Sequence, residues 1–128
     1  MIAIFISFLV VVLSFNFFII SYQINGINRI VLSAPLSLFE TAINLFEIDE
    51  DIGPVFDKEI LVDNITSYFD YHMVRYTSDY SLSFYYYNPV DYSIELSENA
   101  KAVEVEINAN LALSYHYQRT MYYEIWSN

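Results

Sequence analysis

The run MIAIFISFLVVVLSFNFFII, Met1–Ile20, contains no charged side chain, and the first in the chain is Arg29. Twenty helical residues rise about 30 Å, the thickness of a bilayer's hydrocarbon core. The run therefore predicts a transmembrane helix that meets membrane lipid through residues 1–20. A cleaved signal peptide is the rival reading. Met1-Ile2-Ala3 supplies no positive n-region, and no small-x-small site follows the apolar stretch, so the expectation is an uncleaved anchor.

The helical pattern continues past this run through SYQINGINRIVLSA, where Ile20, Ile24, Ile27 and Val31 keep the spacing of one apolar stripe. Gly26 weakens such a helix by ~1 kcal/mol relative to Ala without ending it. One helix of about 30 residues is expected, with Tyr22 and Gln23 at the membrane interface. Ser7, Ser14, Ser21 and Asn28 recur every seven residues and so share one slowly drifting face. Asn16 adds a further polar group inside the apolar run. Small polar residues on one face favour helix–helix packing, worth ~0.6–2 kcal/mol per hydrogen bond. The alternative is that each serine bonds the i−4 carbonyl of its own helix. Residues 1–28 are read as transmembrane helix and stalk, and residues 29–128 as one acidic α+β domain.

Five Lys and Arg stand against sixteen Asp and Glu, a net charge of −11. That balance excludes nucleic acid as a partner, because phosphate binding requires a basic patch. It also disfavours docking on an acidic lipid surface. The absence of cysteine removes disulfides, thiolate metal sites and thiol nucleophiles. Thirteen Tyr and ten Phe make the chain strongly aromatic.

Within the domain, Ser33 with Pro35 reads as a helix start, with the helix running to about Phe46 and Leu38, Ala42 and Leu45 on one side. Glu47, Asp49, Glu50 and Asp51 then crowd together before Gly53-Pro54. Clustered oxygens suit a hard cation, so a calcium loop is one reading. The EF-hand pattern is not met, since Ile60 stands where its bidentate Glu belongs; a solvated acidic loop is the other reading. Asp57 to Met73 is a predicted amphipathic helix, capped by Asp57, with Leu61, Ile65, Phe69 and His72 on its apolar side. Asn64-Ile65-Thr66 matches a glycosylation triplet but falls inside that helix and is set aside.

From Tyr80 the period changes to two. Tyr80, Leu82, Phe84 and Tyr86 alternate with Ser81, Ser83, Tyr85 and Tyr87, and Asn88-Pro89-Val90-Asp91 is a turn signal. Tyr92 to Leu96 is a predicted second strand. In AVEVEINANLALSYHY, Val103, Val105, Ile107, Ala109, Leu111, Leu113, Tyr115 and Tyr117 share one face and polar residues the other. That is a half-buried strand, long enough to require a bend or bulge near Asn108-Ala109-Asn110. Thr120 to Trp126 completes the pattern. The expected fold class is α+β: a long N-terminal transmembrane helix, one or two further helices, then a C-terminal antiparallel meander of three to four strands.

No catalytic constellation emerges. His72 reads as a core histidine and His116 as a residue on a wet strand face; two glycines make no phosphate loop. A non-enzyme without cofactor is expected. The tyrosine clusters fit either protein contact or cross-strand packing.

An apolar stalk over Met1 to about Ser33, further helix, and an alternating C-terminal segment AVEVEINANLALSYHY together resemble the pilin-like proteins of type IV filament systems, most closely the TadE-like pseudopilins. The resemblance implies a membrane-held minor subunit of a surface filament or its assembly machinery. Its partners would be further copies or other pilin-like subunits, and its domain would lie outside the cell. Arg29, the lone cation near the anchor, weakly favours the opposite orientation by the positive-inside rule. The rival from another class is a single-pass binding module whose acidic, Tyr-rich face holds a protein or a cation.

Overall fold

A computed structural model describes residues 1–44, 54–96 and 100–125. Helix α1, Ile2–Leu32, is continuous across the anchor and its extension. Among the described residues it is the one helix long and apolar enough to cross a membrane. It ends at Ser33, whose N–H bonds the Arg29 carbonyl at 2.9 Å, and Pro35 prevents its renewal.

Ser33 thus closes α1 instead of opening a helix to Phe46, and this corrects the sequence reading. Only one further turn forms, α2 (Ser37–Glu40), entered through Leu36 without a side-chain cap. The chain then turns into a two-residue strand β1 (Ile43–Asn44), paired antiparallel with β2 (Val55–Phe56). The Asp57 N–H donates to the Ala42 carbonyl at 2.7 Å, fixing this corner. Burying Phe39, Ala42 and Phe56 here outweighs extending a short helix whose nucleation is unfavourable. The Phe39 ring stacks on Tyr123 with centroids 4.9 Å apart.

Helix α3, Lys58–Met73, begins where expected. The Asp57 carboxylate accepts from the Ile60 N–H at 3.2 Å, and Glu59 sits in the first turn, where the dipole favours a negative charge. Leu61, Ile65, Phe69 and Met73 are buried. Met73 fills the last core position in place of His72, which is half-buried at the edge of the stripe. The Asn64 amide donates to the Leu38 carbonyl and to Thr41 Oγ1 at 3.2 and 3.0 Å, clamping α2 to α3.

Three strands form the C-terminal antiparallel sheet in the order β3 (Tyr80–Tyr87), β4 (Ala102–Asn110), β5 (His116–Glu124). The fold is α+β, as its patterning implies. Two strand expectations are corrected. Tyr92–Leu96 is not a strand: a single bridge joins Ile94 to Tyr87. Asn88 and Asp91 each accept from a backbone N–H two residues on, and Tyr92 adopts a left-handed φ of 57°, so local turns consume the segment. The long alternating run is not one bulged strand either. It breaks after Asn110 into a tight turn with Leu113 and Ser114 at φ 56° and 59°, then returns as β5. Pairing joins odd residues to odd ones, Ala109 to Tyr117 and Val105 to Met121, so the alternation passes through the hairpin unbroken. Leu113 and Tyr115, expected inside, are exposed at this turn.

The inner sheet face, α3 and the far half of α1 enclose one core. Ile27, Ile30 and Val31 of α1 meet Leu61, Ile65 and Phe69 of α3 and Val103, Val105 and Ile107 of β4.

Candidate functional site

The polar stripe of α1 does not stay together. Ser7, Ser14 and Ser21 are exposed and Asn16 is half-exposed, on a helix in which every side chain of residues 2–15 is exposed. Asn28 is different. Its Oδ1 accepts from the Tyr117 hydroxyl at 2.6 Å and from Arg119 Nη1 at 2.8 Å, so this side chain is committed to β5. Gln23 is a second tie: its Nε2 donates to the Tyr76 carbonyl at 2.9 Å and its Oε1 accepts from the Ala112 N–H at 3.0 Å. A third is the Tyr68 hydroxyl, which donates to the Ile30 carbonyl at 2.7 Å. Burial raises the Tyr68 pKa above its ordinary value of 10.0.

Between α1 and the end of α3 these ties leave a cleft of about 560 Å³. Arg29, Ile30 and Ser33 form one wall; Tyr68, Tyr71 and His72 form the other. Val74, Arg75 and Tyr76 close the end. His72 lies 4.5 Å from the Tyr68 ring and 5.0 Å from the Tyr71 ring, centroid to centroid. Tyr76 lies against Gly26 so closely that an added Cβ would stand 2.1 Å from its ring. The glycine is therefore a requirement of close approach, beyond its helix cost. A smaller depression of about 250 Å³ shares Gly26, Arg29 and Tyr76 with the cleft and runs down α1 past Tyr22 and Ser21 to Phe18.

The walls of the larger cleft carry two arginines and no carboxylate, in a chain with three arginines and a net charge of −11. Among the described residues neither guanidinium has an ion pair or hydrogen bond. A third groove, between α3 and β3, is of opposite character: there the Tyr80 hydroxyl donates to Asp70, and burial together with that carboxylate pushes the Tyr80 pKa up.

A second surface is the outer sheet face. Tyr85, Glu104 and Tyr122 pair across three strands. Tyr87 donates to Glu104 at 3.1 Å, and Tyr122 donates to Glu124 at 3.0 Å. Desolvation and then the Glu124 carboxylate push the Tyr122 pKa up to about 12. The tyrosines thus divide: Tyr86, Tyr117 and Tyr123 pack against or within the core, while Tyr85, Tyr115 and Tyr122 are exposed. His116 lies exposed at the start of β5 and does not line the cleft that His72 borders. Glu47, Asp49, Glu50 and Asp51 lie outside the described residues. Among the described residues no three His, Asp or Glu side chains converge as metal ligands.

The sequence reading passed over Arg75 and Tyr76, and gave Gly26 a helix cost without its role in close approach. The available signals were a glycine inside a long helix and the scarcity of arginine in an acidic chain. These surfaces belong to a small α+β domain carried on a helix of membrane-crossing length and hydropathy. Compared with protein-family models, curated proteins and solved structures, the chain matches none of them.

Proposed function

We propose that the chain is a membrane-anchored, non-catalytic, pilin-like subunit of a surface filament or its assembly machinery, with its domain outside the cell. The observation that carries this reading is the division of α1. Its residues 2–15 have exposed side chains, while its last turns are part of the domain core. A bare apolar half-helix with small polar residues on one face is suited to bundling with other anchors once lipid or neighbouring helices surround it. The antiparallel meander behind the stalk is the arrangement that the TadE-like resemblance implies. Replacing Ser7, Ser14 and Ser21 together with Leu should dissolve the assembly in membranes, read by crosslinking; an unchanged oligomeric state would sink the filament reading of that stripe. A tag after Asn128 should be lost when intact cells are treated with protease. A tag digested only after lysis would place the domain in the cytoplasm and end the pilin reading.

A second reading has its own observation. The outer sheet face presents Tyr85 and Tyr122 around Glu104, with none of the described helices over it, which suits an anchored module that holds a protein partner. Under that reading Tyr85→Ser with Tyr122→Ser abolishes partner capture and leaves anchor association intact.

A further inference from the structure

We infer that the cleft between α1 and the end of α3 receives the phosphate head group of an anionic phospholipid. The inference rests on α1 being held in a membrane and assigns a ligand to the junction of anchor and domain. The first support is local charge. Whole-chain charge disfavours a broad acidic surface, but a single head group in the cleft meets Arg29 and Arg75 and no carboxylate on its walls. Both arginines are exposed, and neither guanidinium is engaged by a described residue, whereas Arg119 is already bonded to Asn28. Free guanidinium groups are suited to bidentate hydrogen bonds with phosphate oxygens.

The second support is level. Arg29 lies nine positions past Ile20, a rise of about 13 Å beyond the end of the apolar run. The head-group layer occupies about 5–8 Å of that distance, and a long cationic side chain reaches back toward it. The smaller depression connects the two levels, passing from Phe18 beside Tyr22 and Tyr76 to Arg29. The Tyr22 and Tyr76 rings, 5.4 Å apart, stand where amphipathic rings favour a membrane interface. A volume of about 560 Å³ lies within the usual range for small-molecule sites.

The test is native mass spectrometry of the full chain from micelles doped equally with phosphatidylglycerol and phosphatidylcholine. One phosphatidylglycerol should be retained in about tenfold preference, and Arg29→Gln or Arg75→Gln should each remove that preference. Lys101→Gln, a charge change outside the cleft, should not. Equal retention of the two lipids, or retention that ignores Arg75→Gln, overturns the inference. Displacement of the lipid by an equal concentration of soluble glycerol phosphate overturns the lipid assignment in favour of a soluble phosphate compound. Failure of the unmodified chain to co-float with vesicles would instead overturn the anchor reading, so the two failures are distinguishable.

Discussion

The two halves of α1 are one uninterrupted helix, yet different forces govern them. In residues 2–15 every side chain is exposed, and no described part of the domain covers them. Beyond Ser21, the hydrogen-bonding side chains Gln23 and Asn28 both find partners, and Ile27, Ile30 and Val31 are buried. Apolar side chains are left exposed in one half and enter the protein core in the other. The difference lies in how polar groups are satisfied. Serines of the anchor leave their hydroxyls available for a neighbouring helix, whereas Gln23 and Asn28 are fixed by contacts distant in sequence.

The strongest test of this division is truncation. Removing residues 1–20 should leave a folded domain, because the side chains lost make almost no contribution to its core. Removing residues 1–32 takes Ile27, Ile30 and Val31 as well, each buried to within 8 % relative exposure. Each contributes about 1.5–3 kcal/mol of burial, and the sum rivals the 5–15 kcal/mol by which whole domains are stable. The shorter product should not fold. Cooperative thermal unfolding by circular dichroism distinguishes the two, and a folded product lacking residues 1–32 would break the comparison.

Alkaline pH should separate the halves without any mutation. Residues 1–20 carry no titratable side chain, while Tyr68 and Tyr117 tie α1 to the domain through donated hydroxyl protons. Burial raises both pKa values above 10.0, with Arg119 opposing the shift at Tyr117. The folded state therefore keeps protons that the unfolded chain releases. The stability they contribute is complete below the unfolded value and is lost as pH climbs through the raised folded values. From about pH 10 upward the domain should lose near-ultraviolet dichroism while the anchor in micelles stays helical. Phenolate absorbance should report Tyr122 titrating late, at about 12.

A single tie gives a smaller effect. Asn28→Ala leaves the Tyr117 hydroxyl and the Arg119 guanidinium without their shared acceptor, at a cost of about 1–3 kcal/mol. Ser14→Ala, on the same sequence stripe, should change domain stability by less than about 0.5 kcal/mol. Denaturant midpoints of the two variants decide the matter; equal values would return Asn28 to the stripe.

How much of this was legible depended on whether the signal was local. The Asp57 cap and the Leu61, Ile65, Phe69 stripe fix α3 because a helix is specified by neighbours three and four residues apart. The inner face of β4 was equally plain from Val103, Val105 and Ile107. The hairpin after Asn110 was hidden because its pairing preserves parity, so a turn and a bulge leave the same alternation. The reversal at Ala42 depends on Val55 and Phe56, across residues whose composition suggested a calcium loop or a solvated acidic loop and no strand pairing. The cleft was illegible because Arg29 lies in α1 and Arg75 in the turn after α3, and only tertiary packing, with Tyr76 against Gly26, brings them to one cleft.

That closure yields the finest prediction. Gly26→Ala gains ~1 kcal/mol of helix propensity, yet its Cβ would stand 2.1 to 2.6 Å from three atoms of the Tyr76 ring. Overpacking of this kind typically costs about 1–3 kcal/mol, so the net effect should be destabilising by up to about 2 kcal/mol. Tyr76→Ala removes the ring but keeps the backbone carbonyl that Gln23 bonds. In that background Gly26→Ala should become stabilising. The reversal of sign in a double-mutant cycle is diagnostic, because helix propensity acts in both backgrounds and the ring acts in only one. If Gly26→Ala stabilises the unmodified chain as well, α1 does not meet Tyr76 at that position, and the domain-side half of the helix is no more constrained than the anchor.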